Sequence, residues 1–160
     1  MLTHHRRPVC LSLVSTDLPI WSNVETAATL YQKDQERFHL LLNEPCLPDP
    51  DSEQLAAANL PHQKRRLLWL EISPYRVIMT MQESGKWSYR HLWEPGVYGV
   101  SRYCLQSTPF KGYELLRLRN YTRSLKLDGR PLPENLCLEY ELWADKVQLG
   151  SYVLNLQIHH

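Results

Sequence analysis

The sequence predicts an α+β domain, built on an antiparallel, strongly twisted or barrel-like sheet of roughly six to seven strands, with an N-terminal amphipathic helix packed on it. Apolar residues recur at every second position in residues 113–127, 136–143 and 147–158, a pattern typical of strands with one buried face. Short turns join these segments, which favours antiparallel neighbours. Helical apolar spacing within residues 23–42 predicts the helix.

The composition indicates one globular domain. The chain has 160 residues, of which 43% are hydrophobic and 22% charged, a balance unlike that of disordered proteins. The net charge of +1 argues against a polycation that binds nucleic acid over its whole surface. Residues 1–63 hold four Lys or Arg against eight Asp or Glu, and residues 64–160 hold fourteen against nine. We therefore expect an acidic N-terminal region and a basic antiparallel sheet within a single domain of residues 1–160.

The N-terminal region combines a strand with the predicted helix. Residues 8–15 alternate well enough to form a short edge strand. Residues 22–25 (SNVE) match a capping box, in which the Ser and Glu side chains bond to the exposed amides at a helix start. The helix is expected at residues 23–42. A competing interpretation ends it near Glu36 and places a strand at residues 38–42.

The middle of the chain changes from a connection to strands. Three prolines within residues 43–51 exclude a continuing helix and predict a surface connection, followed by a short helix that ends near Leu60. Residues 83–86 (ESGK) suit a hairpin turn because Gly tolerates positive φ. The strands predicted in this part are residues 67–72, 75–82, 87–93 and 97–106.

Two irregularities are predicted in the C-terminal strands. Leu116 and Leu118 are in phase with each other, whereas Leu125 is out of phase with both, so a β-bulge near Ser124 should shift the register. Gly150 marks a second bulge. The alternation is compatible with an open sheet and with a closed barrel.

Basic and aromatic side chains follow the outer face of the strand at residues 113–127. Guanidinium groups two residues apart on a strand lie about 7 Å apart at their bases, a spacing that suits repeated anionic groups. We therefore expect this face to dock an acidic protein partner. The alternative is that Glu139 and Glu141 on the next strand neutralise it. The predicted partner-binding residues are Arg117, Arg119, Tyr121, Arg123 and Lys126.

Aromatic side chains share one face of the strand at residues 87–93, while Arg90 points to the opposite side. One interpretation is packing in the core. The other is a ligand cavity anchored by Arg119 or Arg123. The residues predicted to line that cavity are Trp87, Tyr89, Trp93 and Tyr140. RNA binding is a weaker alternative, because Arg90 does not share a face with the aromatic rings.

The sequence contains no catalytic or metal-binding motif. Its His and Cys residues do not occur at zinc-ligand spacing, and it has no P-loop or GxSxG, so we expect neither a metal nor a cofactor. No apolar stretch is long enough to span a bilayer, and no leader peptide is evident. These observations favour a non-catalytic, cytoplasmic protein-interaction or assembly factor, with a small-molecule-binding barrel as the alternative.

Overall fold

Ten antiparallel strands form one closed barrel in the computed structural model, which describes residues 3–44, 66–83, 86–106 and 113–160. Side chains are described for residues 4–43, 66–83, 88–104 and 115–160. The strands are β1 (Thr3–Ser15), β2 (Trp21–Gln32), β3 (Phe38–Glu44), β4 (Arg66–Ile72), β5 (Val77–Glu83), β6 (Lys86–Trp93), β7 (Tyr98–Gln106), β8 (Tyr113–Asp128), β9 (Asn135–Ala144) and β10 (Val147–Ile158).

The topology is a simple meander in which each strand pairs with its neighbours in sequence. The barrel closes where β1 pairs with β10, as in the register pair Leu11 and Leu156. The predicted edge strand at residues 8–15 is therefore an interior strand, bonded on both sides. Each strand has a paired neighbour on both sides over part of its length, and barrel diameter increases with the number of strands.

The predicted α+β class is wrong, because the described part of the chain is all-β and contains no helix. It follows that no helix among these residues is long and apolar enough to cross a membrane. Residues 23–42 fold into β2 and β3 instead of a helix. The predicted count of six to seven strands is too low for the same reason, since the N-terminal region adds strands to the sheet.

Period-two burial explains why residues 23–42 form strands. Ala28 and Leu30 on β2, and Leu40 and Leu42 on β3, are buried and alternate with more exposed residues. A turn separates the two strands, where the Asp34 carboxylate accepts hydrogen bonds from the backbone N–H groups of residues 36 and 37, at 2.9 and 2.8 Å. The apolar spacing of this segment suits a helical period in part and a strand period in part. Pairing with β1 and β4 stabilises the strand conformation.

Several other predictions are confirmed. The strand at residues 38–42, from the competing interpretation, lies within β3. Register shifts occur between Thr122 and Ser124 and between Gln148 and Gly150, as the two predicted bulges require. The expected helix ending near Leu60 and the tip of the hairpin turn at residues 84–85 lie outside the described residues.

Apolar side chains fill most of the barrel interior. They come chiefly from β1 to β5 and from β9 and β10, with Leu40, Leu70 and Leu138 fully buried among them. The acidic and basic regions of the sequence therefore contribute strands to the same barrel. The inner faces of β6, β7 and β8 differ from the rest, because they bring polar side chains into this interior.

Candidate functional site

Five side chains on β6, β7 and β8 form what we call the interior polar cluster: His91, Ser101, Tyr103, Asn120 and Thr122. Strand register places them together, since His91 pairs with Ser101 across β6 and β7. Asn120 and Thr122 follow the buried Leu118 on the inner face of β8 at two-residue spacing. Ser101, Asn120 and Thr122 are fully buried, so all their polar atoms need partners inside the protein.

A chain of hydrogen bonds connects four members of the interior polar cluster. Asn120 Nδ2 donates to Ser101 Oγ at 2.8 Å, and Ser101 Oγ lies 2.7 Å from His91 Nδ1. His91 Nε2 is 3.4 Å from the Tyr103 hydroxyl, a long contact. With the imidazole proton on Nε2, Ser101 donates to His91 and His91 donates to Tyr103. We assign this tautomer because it leaves no buried donor in the chain unused, and it frees the half-buried Tyr103 hydroxyl to donate elsewhere.

Aromatic rings enclose His91. Its ring stacks on Trp93, with centroids 4.9 Å apart and planes 3° from parallel, and the edge contact with Tyr103 is at 5.3 Å. Trp93 in turn lies 5.0 Å from Tyr140, which stacks on Tyr152 at 5.4 Å. These contacts extend from β6 to β10, so the aromatic rings form a wall across one side of the barrel.

The interior polar cluster is uncharged over a wide pH range. Burial lowers the pKa of His91 to about 4 and raises the pKa of Tyr103 to about 12. Burial also raises the pKa of Tyr140. Among the residues with described side chains, no three His, Cys, Asp or Glu groups are arranged to hold a metal ion. The chemistry available here is hydrogen bonding and stacking between neutral groups.

Three buried polar atoms beside the hydrogen-bonded chain have no hydrogen-bond partner among the residues whose side chains are described. They are Trp93 Nε1, Asn120 Oδ1 and Thr122 Oγ1, and their residues are fully buried. Two of them lie beside Tyr140, because Thr122 pairs directly with Tyr140 across β8 and β9 and the Trp93 ring packs against the Tyr140 ring. Asn120 Oδ1 lies over Gly99 of β7. An unpaired buried polar atom costs about 1–3 kcal/mol, so each of these atoms lowers the stability of the folded protein.

The residues predicted to line a cavity lie on the inner side of the barrel where they are described. Trp93 and Tyr140 are buried and Tyr89 is half-buried against the core. Trp87 lies on β6, but its side chain is outside the described residues. The expected arginine anchor is not at this site, because Arg119 and Arg123 are exposed on the outer face of β8.

The outer face of β8 is partly neutralised. Arg123 forms an ion pair with Glu141, with Nε 2.8 Å from Oε1, as the alternative interpretation expected. Arg119 donates to the carbonyl oxygen of Asp145, and its guanidinium lies 5.2 Å from the centre of the Tyr98 ring. The Tyr121 ring also packs on Tyr98, at 5.1 Å. Arg117 and Lys126 are exposed, and neither makes an ion pair with any residue whose side chain is described.

Sequence reasoning missed Ser101, Asn120 and Thr122. The sequence did indicate two of them. Asn120 and Thr122 continue the every-second-residue series of Leu116 and Leu118, so their side chains point to the same, core-facing side of the strand. A polar residue on a core face is uncommon unless it is hydrogen-bonded. For Ser101 no such signal existed, since its contact with His91 depends on the register between β6 and β7.

Comparisons with known proteins support the fold and nothing more specific. No protein-family model matches the chain, and no curated protein matches it. Among solved structures, the crystal structure of the ywiB protein from Bacillus subtilis is similar, with a TM-score of 0.59 and 14% sequence identity. The similarity covers 99% of this chain and 94% of that chain. The chain therefore has a β-barrel fold whose overall course resembles that of the Bacillus protein.

Proposed function

We propose that the barrel binds a small, uncharged, planar molecule beside the interior polar cluster. The observation that carries this proposal is the set of three fully buried, unpartnered polar atoms on Trp93, Asn120 and Thr122. Ligand sites in proteins combine apolar and aromatic walls with a few polar groups that fix orientation. The aromatic wall and the three atoms supply both components, and because apolar side chains fill most of the barrel interior, the ligand enters by displacing packed side chains.

The unpartnered atoms define the chemistry of the ligand. Asn120 Oδ1 accepts, so the ligand must present a donor there, whereas Trp93 Nε1 donates and needs an acceptor. Thr122 Oγ1 can serve in either role. A flat molecule with adjacent N–H and C=O groups, such as a primary amide on an aromatic ring, meets these requirements. An anion does not fit, because no cation faces it within the interior polar cluster and a buried unpaired charge is costly.

Calorimetric titration with 2-naphthamide tests this proposal. The matched control is 2-naphthoate, which keeps the ring system but carries a charge at neutral pH. We expect saturable heat with the amide and none with the carboxylate. Thr122→Val keeps the shape and removes the hydroxyl, and it should weaken amide binding by about tenfold, the effect of one hydrogen bond. Equal binding of both compounds, or no binding of the amide, would contradict the proposal.

A second candidate function is docking of an acidic protein partner in the cytoplasm, through the outer face of the basic strands. Its support is the surplus of Lys and Arg in residues 64–160 together with the exposed Arg117 and Lys126 on β8. Arg123 contributes less than the sequence suggested, because Glu141 already binds it. RNA binding is weaker still, since the exposed Tyr98 ring already packs on Tyr121 and Arg119 instead of standing free for a base.

A further inference from the structure

Three arginines lie side by side across three adjacent strands on the outside of the barrel. Arg90 on β6 pairs in register with Arg102 on β7, and Arg102 pairs with Arg117 on β8. All three are exposed. Directly opposite residues on antiparallel strands have Cα atoms about 5 Å apart, so the three side chains leave the sheet as a close row. We refer to these three residues as the arginine row.

No acidic side chain neutralises the arginine row within the described part of the chain. At one end of the row, Arg90 pairs with Thr80 of β5. At the other end, Arg117 has no register partner on β9, because the β8–β9 pairing begins at Arg119. The neighbours two positions along each strand are Ser88, Leu92, Val100, Cys104, Leu115 and Arg119. None of the three arginines makes a hydrogen bond or an ion pair with a described residue.

Like charges directly opposite each other destabilise a sheet, and the arginine row contains two such pairs. A bound partner with several carboxylates would remove that repulsion and gain charge-assisted, forked hydrogen bonds to the guanidinium groups. We propose that the arginine row is the docking site for an acidic protein segment that also carries apolar side chains. This inference rests on the second candidate function. It places the docking surface across β6, β7 and β8 instead of on β8 alone.

The surroundings of the arginine row favour a protein segment over a nucleic acid. Val100 and Leu115 flank the row and are 37% and 49% exposed, so a partner with apolar residues buries them. Single-stranded nucleic acid needs free aromatic faces for its bases. Tyr98, on the same strand as Arg102, is 57% exposed, but its ring already packs on Tyr121 and Arg119. Charge complementarity and exposed apolar surface therefore point to the same kind of partner.

Fluorescence anisotropy of a labelled peptide tests the proposal. The probe is a short synthetic peptide of repeated Glu-Leu-Glu-Ser, and its control replaces each Glu by Gln. We expect the Glu peptide to bind the full-length protein, with an affinity that falls as salt rises. The Gln peptide and a single-stranded oligonucleotide of similar length should bind at least tenfold more weakly. An oligonucleotide that binds more tightly than the Glu peptide would overturn the proposal in favour of nucleic acid.

Two triple variants with the same change of charge locate the site. The first combines Arg90→Gln, Arg102→Gln and Arg117→Gln, and should weaken Glu-peptide binding by about tenfold, as expected for the loss of several exposed ion pairs. The second combines Arg119→Gln, Arg123→Gln and Lys126→Gln, and should change binding less than threefold. A cooperative thermal transition confirms that each variant is folded before binding is measured.

The two variants separate failure of the inference from failure of the docking function. If the second variant loses binding and the first keeps it, the acidic partner docks along β8 and the arginine row is not the site. If wild-type protein does not bind the Glu peptide at all, both the inference and the docking function are wrong. Neither result affects the interior ligand proposal, which 2-naphthamide binding tests independently.

Discussion

His91 stacks flat on Trp93, with ring planes 3° apart and centroids separated by 4.9 Å. The contact explains why the pKa of His91 is low and its imidazole stays neutral. Trp93, Tyr89 and Tyr103 enclose the ring and exclude the water that would solvate a charge. Protonation would place a charge in an interior that offers it no counter-ion. The neutral imidazole is thus a structural requirement of the interior polar cluster as well as a link in its hydrogen-bond chain.

Acid should destabilise the protein through His91. Its pKa is lowered from 6.5 to about 4 in the folded state by burial, so the unfolded chain binds more protons between these values. Stability from this group is complete above pH 6.5 and decreases as the pH falls towards 4, by about 3 kcal/mol in total. Urea unfolding at several pH values should show this loss in the wild type. In His91→Gln the pH dependence should be shallower, and identical slopes would show that His91 is not the buried titrating group.

Thr122→Val should stabilise the ligand-free protein while it weakens ligand binding. The Thr122 hydroxyl is fully buried without a partner, and an apolar group of the same shape removes that unsatisfied atom at a gain of about 1 kcal/mol. Equilibrium unfolding measures the gain. Ser101→Ala is the control, because the Ser101 hydroxyl is bonded to both His91 and Asn120 and its removal should destabilise the protein. A loss of stability in Thr122→Val would mean that its hydroxyl already has a partner.

Gly99→Ala should destabilise the barrel by about 2 kcal/mol or more, as overpacking does. A Cβ atom at Gly99 would lie 2.0 Å from the carbonyl oxygen of Leu92, so β6 and β7 would have to separate. They are joined by only three register pairs. Gly96→Ala is the matched control. A Cβ there meets nothing within 4 Å, although φ is +76°, and the expected loss is about 1 kcal/mol. Equal effects of the two substitutions would contradict the close approach.

Arg102→Gln should raise the melting temperature slightly, by about 1–3 °C, because Arg102 faces a like charge on each side. The gain should shrink at high salt, where exposed charges are screened. Arg130→Gln, in an exposed turn, removes the same charge and serves as the control. A lower melting temperature for Arg102→Gln than for the control would show that Arg102 makes a stabilising contact.

The sequence was a good guide to the C-terminal half of the fold and a poor one to the N-terminal half. From β4 onward each strand has a clear alternation and a short turn, and the two bulges could be placed from the phases of Leu125 and Gly150. Residues 23–42 were misread because Val24, Ala28 and Tyr31 fit a helical period, whereas in the structure the buried face of β2 holds Ala28 and Leu30, and Tyr31 points to the other side. Pairing of β2 with β1 and of β3 with β4 stabilises the strands, and apolar spacing in a single sequence does not specify that pairing.

The candidate sites were only partly predictable, for a related reason. Alternation placed Tyr89 and Trp93 on one face of β6 and Tyr140 on the apolar face of β9, but the partner of His91 depends on the β6–β7 register. The arginine row has the same origin: Arg90, Arg102 and Arg117 are well separated in sequence and adjacent only across strands. Glu141 was correctly considered as a partner for the β8 arginines, and it binds Arg123.

A crystal structure of the protein soaked with 2-naphthamide tests binding inside the barrel at atomic detail. We expect the amide inside the barrel, with its N–H group within hydrogen-bond distance of Asn120 Oδ1 and its carbonyl oxygen within the same distance of Trp93 Nε1. A soaked crystal that shows ordered water at these atoms, or the amide bound only on the outer surface, would contradict this expectation.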